Sequence, residues 1–391
     1  MENISQFPDD ILLKVLSFLP TKVAASTSVL SKRWEFLWMW LPKLDYESSN
    51  CSNDYYSTLQ SFIIFNLPLH KAPIIESLRV KILTLRVYDI HTWVLIAVSR
   101  CVRELRLNVD FFYNDNVVGL PSSLYTCKSL VILELIGCFS VDVPRMACFP
   151  SLKTLILVRV WYEDAKSLCQ ILSNSPVLED LVVERTQHDD HIKPFTLSVA
   201  VPSLQRLTLK ISRGISFEGL VINTPSLKSL TFSVKDYKGD EYYVSDSDDD
   251  DDSYSYDFEV MPKLEEADIE SPHPDINKFV RSITYVKRLS LCICVNAEEA
   301  LYGEGIVFNQ LQHLKLCSCD PNWSILLVRL LNDSPNLREL HVYLKEDHTN
   351  SCLDPTVCWE DQLDCVPGCL LTSLETFKWT GISGSQKEID L

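Results

Sequence analysis

The sequence predicts an α/β chain: a small three-helix module followed by an irregular solenoid of parallel strands and helices. Three observations carry that prediction. Residues 8–41 place apolar side chains at helical spacing between prolines. From residue 102 onward the pattern L-x-x-L-x-L returns eleven times. Glycine is scarce, 10 in 391 residues against a usual share of about 7%, which disfavours architectures built on glycine-rich phosphate loops.

In the first segment Ile11, Leu12, Val15, Leu16 and Leu19 follow Pro8 and the acids Asp9 and Asp10, which suit the positive end of a helix dipole; Pro20 stops it. Lys22 to Leu30 is a second amphipathic stretch. The third, Lys32 to Trp40, carries Trp34, Phe36, Leu37, Trp38 and Trp40 and ends at Pro42. A module of about 40 residues seldom encloses so much Leu and Trp unaided, so the rest of the chain or a second protein must cover it. The first helix is apolar around more of its circumference than a one-sided core contact needs, which points to a partner.

Ile4-Ser5-Gln6-Phe7-Pro8-Asp9-Asp10-Ile11-Leu12, Leu16-Ser17-Phe18-Leu19-Pro20-Thr21-Lys22 and Val29-Leu30-Ser31-Lys32-Arg33-Trp34 closely resemble the F-box motif. The resemblance implies a three-helix module that docks on the Skp-type adaptor of a cullin-based ubiquitin ligase. It also implies that Phe7, Pro8, Ile11, Leu12, Leu16, Leu19 and Pro20 form most of the docking surface, with Trp34 anchoring the third helix. Phe7 stands where the family usually has Leu.

The L-x-x-L-x-L units begin at Val102, Leu130, Leu152, Leu178, Leu204, Leu227, Leu264, Val286, Leu311, Leu337 and Leu374. Eight of the ten intervals, at 22–28 residues, fall in the range of leucine-rich repeats or just beside it, and two are 37. Alternation at L-x-L makes each unit a short strand with one apolar face that only parallel neighbours can bury. Glu163 to Ser173 and Trp323 to Asn332 have helical spacing between strands. Side chains flanking the inward positions line the concave face, where solenoids usually bind: Arg106, Glu134, Arg206, Lys210, Arg288, His313, Lys315, His341, Tyr343 and Lys378. Cations on adjacent strands of an acidic protein suit an acidic or phosphorylated target; a solvated face without a ligand fits the pattern equally well.

The formal charge of −17, from 36 basic and 53 acidic residues, disfavours nucleic acid and anionic membranes as partners. Asp246 and Asp248 to Asp252 lie in an insert, Gly239 to Asp257, that self-repulsion should keep disordered. Ser245, Ser247 and Ser253 surround the run; Ser245 and Ser247, each with Asp three residues on, suit an acid-directed kinase, or the segment is a tolerated insertion. No apolar run reaches the ~18 residues of a membrane span and no secretory signal opens the chain, so a soluble, intracellular protein of cytoplasm or nucleus is expected. Its 14 cysteines then read as reduced core thiols. HExxH, GxSxG and GxGxxG are absent, and Gly214 and Gly219 precede no phosphate-binding Lys, so a non-enzymatic adaptor without cofactors is expected.

Cys138, Cys294 and Cys319 occupy the ninth repeat position, where a small polar group bonds the neighbouring turn. Cys292 and Cys317 share one concave position in consecutive repeats, within disulfide or metal range. Cys352, Cys358, Cys365 and Cys369 with His348 lack paired zinc spacing, and His188-Asp189-Asp190-His191 reads as a solvated polar loop, so no metal is expected.

Trp359, Val366-Pro367-Gly368-Cys369-Leu370-Leu371, Ser373-Leu374-Glu375, Phe377, Trp379, Gly381 and Gly384 resemble the start of the FBD domain, which follows an F-box and leucine-rich repeats in a large plant family. The resemblance implies a further strand and helix after Leu391, so an incompletely capped last repeat is expected. The expected organisation is an F-box at 1–45, a linker and N-terminal cap at 46–100, repeats at 101–350 with the insert at 239–257, and a partial FBD domain at 351–391. Together the resemblances imply the substrate-recognition subunit of a Skp–cullin–F-box ubiquitin ligase, or else a non-ligase scaffold that binds a Skp-type partner.

Overall fold

The structure is a computed structural model that describes residues 4–47, 53–84, 87–111, 117–162, 166–185, 195–212, 217–235, 255–271, 276–293, 300, 302–320, 322–345 and 366–381. The chain divides into two compact units, Met1–Glu184 and Arg185–Leu391.

In the first unit, helix α1 (Asp9–Leu16) starts behind Pro8, with Asp9 and Asp10 in its first turn and Lys14 in its last, matching the helix dipole at both ends. Helix α2 (Thr21–Ser26) starts behind Pro20 and tightens into a 3₁₀ turn, Thr27–Val29. The third segment is shorter than its spacing predicts: residues 32–36 form turns and only Leu37–Trp40 is helical, as a 3₁₀ helix. The Met39 carbonyl accepts the amides of Lys71 and Ala72, at 2.8 and 3.2 Å, and the chain must extend at Leu41 to enter strand β1 (Lys43–Glu47). No further α-turn fits between them.

The remaining elements of this unit are α3 (Asn53–Asn66), β2 (Ser77–Thr84), α4 (Val87–Ser99), β3 (Glu104–Phe111), β4 (Val118–Gly119), β5 (Ile132–Gly137), β6 (Phe139–Val141), β7 (Thr154–Val158), β8 (Trp161–Tyr162), α5 (Lys166–Ser173) and β9 (Asp180–Arg185). The main sheet runs β1-β2-β3-β5-β7-β9, parallel throughout. A short parallel sheet, β4-β6-β8, lies across the returns.

In the second unit the elements are β10 (Phe195–Val199), β11 (Arg206–Ser212), β12 (Phe217–Ile222), β13 (Ser229–Lys235), β14 (Ser255–Phe258), β15 (Glu266–Ser271), α6 (Ile276–Ser282), β16 (Arg288–Ile293), β17 (His313–Cys317), α7 (Trp323–Asn332), β18 (Glu339–Tyr343), α8 (Gly368–Thr372) and β19 (Thr376–Thr380). Here the parallel order is β11-β13-β15-β16-β17-β18-β19, with a second sheet β10-β12-β14. Register is set by one recurring device. The carbonyl ahead of a strand accepts two successive amides of the next repeat, as Lys287 does from Gln312 and His313 at 2.9 and 3.1 Å.

All eleven L-x-x-L-x-L units carry a strand of these sheets, and their apolar positions are buried except in the last, where Phe377 is exposed. The sheet starts earlier than that series, because β1 and β2 precede it. Leu41, Leu44 and Tyr46, and Ile75, Leu78 and Val80, repeat the same spacing with other apolar residues. Helical returns occur at α5 and α7 as the spacing predicts, but β4, β6, β8, β10, β12 and β14 are strands in the return positions. Phe195-Thr196-Leu197-Ser198-Val199 alternates at period two, which is the strand signal there.

Of the acidic insert, 239–254 lies outside the described residues, and Ser255 to Asp257 belongs to β14 rather than to a loop. Phe258 at its end is buried between Phe232 and Phe279, with ring centroids 6.4 and 5.6 Å away, so this end serves the core. Gly381 closes β19 at φ +81°, and a Cβ there would lie 2.9 Å from Leu344 Cβ, which accounts for glycine at this point. No helix among the described residues is long and apolar enough to cross a membrane.

His70 lies in the connection between α3 and β2 and is 3% exposed. Its Nδ1 accepts the Ala72 amide at 3.3 Å, and Arg100 donates to the carbonyls of His70 and Ala72. Burial, then the Arg100 charge, pushes the imidazole down to about 4. Its folded value lies below the ordinary one, so the unfolded chain binds more protons between them. Stability present above pH ~6.5 is therefore lost as pH falls toward 4, by roughly 3 kcal/mol for this group. Urea unfolding at pH 7 and pH 4 should show a smaller pH effect in His70→Gln than in wild type; equal pH effects would refute the assignment.

Candidate functional site

The helical module has two apolar sides. Leu12 and Leu16, four residues apart on α1, are fully buried with Ala24, Trp34, Leu37, Trp38, Met39 and Leu41. Phe62 of α3 closes this core from the chain itself, its ring 5.6 Å from Trp38 and 6.3 Å from Tyr46. Leu12 and Leu16, expected on the docking surface, therefore lie in the module's own core in the free chain. Trp34 is buried where it ties the third segment to this core.

One residue earlier along α1, Ile11 and Val15 form a second i,i+4 stripe, 46% and 40% exposed. Phe7, Pro8, Leu19 and Pro20 are also exposed, and Phe18 is 74% exposed. Val15 and Phe18 are exposed too, although the resemblance does not single them out; the i,i+4 spacing from Ile11 was the signal available for the first. Eleven of the 24 exposed large apolar side chains among the described residues fall in the first forty residues. Such concentration marks an interaction surface rather than scattered surface leucines. Arg33 Nε and Nη2 both donate to Asp9 Oδ1, at 3.0 and 2.6 Å, and join the start of α1 to the segment after α2. Both partners are well exposed, so the pair orients more than it stabilises.

The open face of the two sheets carries the other expected residues. In the first unit Arg106 and Glu134, opposite each other on β3 and β5, pair at 2.5 Å. Arg79 and Lys81 are likewise answered by Asp45 and Glu47. In the second unit Arg288 pairs with Glu266, and His313 Nδ1 lies 3.0 Å from Glu339. Lys315, His341 and Lys378 stand in one register across β17, β18 and β19. The Lys315 ammonium lies 4.4 Å from the Tyr343 ring centroid, and His341 Nε2 is 2.9 Å from Thr380 Oγ1. Burial, then Lys315 and Lys378, push the His341 imidazole below its ordinary value. Arg206 and Lys210 are exposed on β11, opposite Ser229 and Ser233.

Among the cysteines, Cys319 meets the sulfur of Cys292 at 3.7 Å, and Cys369 donates to the Leu331 carbonyl at 3.1 Å, pinning α8 to α7. Cys294, Cys352, Cys358, Cys365, His348 and the His188–His191 loop lie outside the described residues.

The helical module is sealed on one side by its own chain, apolar on the other, and followed by stacked parallel-strand repeats. Family comparison agrees element by element. The F-box domain matches residues 4–46, the repeats described as those of FBD-associated F-box protein At5g56370 match 90–243, and the FBD domain matches 362–391. The putative F-box/LRR-repeat protein At4g15060 of Arabidopsis thaliana is 60% identical over 397 residues, covering 100% of this chain and 90% of that protein. The putative F-box/FBD/LRR-repeat protein At4g00315 of the same plant is 53% identical, covering 100% and 89%. The FBD-associated F-box protein At4g10400, also from Arabidopsis thaliana, is 46% identical, covering 100% and 88%. The chain belongs to the F-box/FBD/LRR-repeat family of plant proteins.

Proposed function

We propose that this chain is the substrate-recognition subunit of a Skp–cullin–F-box ubiquitin ligase. The observation that carries the reading is the exposed Ile11–Val15 stripe, flanked by Phe7, Pro8, Leu19 and Pro20, on an F-box whose opposite side is closed by Phe62. A Skp-type adaptor buries that stripe, while Leu12, Leu16 and Trp34 act from beneath by holding α1 rigid. The chain contributes no catalytic group; it raises the local concentration of target lysines near the conjugating enzyme.

The target docks on the open sheet face. Lys315, His341 and Lys378 together suit an acidic or phosphorylated segment. Arg106 with Glu134, Arg288 with Glu266, and His313 with Glu339 are already matched in charge and shape the face rather than charge it. Capture of a phosphoserine peptide library by the full-length protein should fall several-fold in Lys315→Glu, Lys378→Glu and with rising salt. Undiminished capture by that variant would place the target elsewhere.

Co-purification with a Skp-type adaptor tests the reading as a whole. Recovery of both adaptor and cullin supports the ligase subunit. Recovery of the adaptor with no cullin supports a scaffold instead, and no recovery by folded protein overturns both.

A further inference from the structure

Cys292 on β16, Cys317 at the end of β17 and Cys319 just beyond it bring their three sulfurs within 4.8 Å of one another. Each of the three residues is at most 5% exposed. The strand pattern alone does not dictate that burial. Cys292 shares its register with Glu270, Ser233 and Lys210, and Lys210 faces solvent. The cover is local: Tyr343 and Leu344 pack on the thiols, and Lys345 pairs with Glu270, which also accepts Ser233 Oγ at 3.1 Å.

We propose that Cys292, Cys317 and Cys319 form a binding site for a soft d¹⁰ cation, Zn(II) or Cu(I), inside the repeat array. Thiolates are the ligands such ions select. Sulfurs about 2.3 Å from a zinc ion lie about 3.8 Å apart in a tetrahedron and about 4 Å apart in a trigonal plane. The Cys292–Cys319 separation of 3.7 Å already meets that requirement, and the widest sulfur separation, at most 4.8 Å, leaves under about 1 Å to close. Among the described residues no fourth Cys, His, Asp or Glu brings a ligand atom into the group. Cu(I) is satisfied by three sulfurs, whereas Zn(II) adds a solvent ligand.

The protons balance simply. An entering cation bonds the three sulfurs as thiolates and displaces their thiol protons to solvent, with no redox change. Affinity therefore rises with pH. The site is independent of adaptor docking, since it lies on the repeats.

The test uses full-length protein in reducing buffer, titrated with Co(II) as a spectroscopic probe and then challenged with Zn(II) and with Cu(I). One equivalent of cobalt with thiolate-to-metal charge transfer is expected, displaced by at least one of the two d¹⁰ ions; the ion that displaces at lower concentration identifies the occupant. The band should vanish in Cys317→Ser and persist in the triple variant Cys352→Ser, Cys358→Ser, Cys365→Ser. No cobalt band in wild type, a band that survives Cys317→Ser, or one lost in the triple variant overturns the proposal. If Cys317→Ser does not fold, alkylation mapped by mass spectrometry on wild type decides. Metal should protect Cys292, Cys317 and Cys319 together, and unchanged labelling of the three overturns it.

Discussion

Replacing Ile11 and Val15 together by Asp is expected to abolish capture of a Skp-type adaptor while leaving the fold of the chain intact. Both side chains are close to half exposed in the free chain, so each carboxylate is solvated there and costs the fold little. In the complex the same carboxylates would be desolvated without partners. Central apolar anchors of an interface are each worth about 2 kcal/mol or more. The pair therefore removes about 4 kcal/mol, roughly a thousandfold in Kd. Leu12→Ala and Leu16→Ala should act differently, because both residues are fully buried: each lowers stability by about 2–5 kcal/mol and weakens binding only through the fold. Circular dichroism alongside adaptor pull-down separates the two outcomes. Adaptor binding unaffected by the Ile11/Val15 change would refute this docking face.

The second large effect is expected at Phe279, in the core of the second unit. It is 1% exposed on α6, meets Phe258 edge-on at 5.6 Å, and through it reaches Phe232. Ser282, one turn along the same helix, donates to the Phe258 carbonyl at 2.6 Å, so ring packing and backbone pairing hold the same joint. Phe279→Ala leaves a cavity that neighbouring strands, fixed by their ladders, cannot fill, and should cost about 3–5 kcal/mol. Phe279→Leu keeps most of the volume and should cost far less. Denaturant unfolding followed by far-ultraviolet circular dichroism measures both, and equal midpoints for the two variants would show that this packing is not what holds α6.

Much of the fold was legible because its signals are local. The i, i+3, i+5 apolar spacing located the eleven strands of the repeat series, and Pro8 and Pro20 marked two helix starts. Strands β1 and β2 escaped because their spacing is filled by Tyr46, Ile75 and Val80 in place of Leu. The return strands escaped because a run of five residues such as 195–199 contains too few alternations to define a period. The exposed side of α1 was legible only in part. The F-box resemblance grouped Ile11 with Leu12 and Leu16, whereas Ile11 is exposed beside Val15 and the two leucines are buried.

What the sequence by itself determined is the α/β class, the order of helical module, repeats and FBD segment, and family membership, since each depends on residue types at fixed spacings along the chain. What the tertiary structure decided is which of two chemically equivalent stripes on α1 faces inward, which of the open-face cations are matched by carboxylates on the next strand, and that Cys319 joins Cys292 and Cys317. Those outcomes follow from residues distant in sequence, Phe62 beneath Trp38, Glu134 opposite Arg106, and Lys345 reaching Glu270, and so no local period contains them.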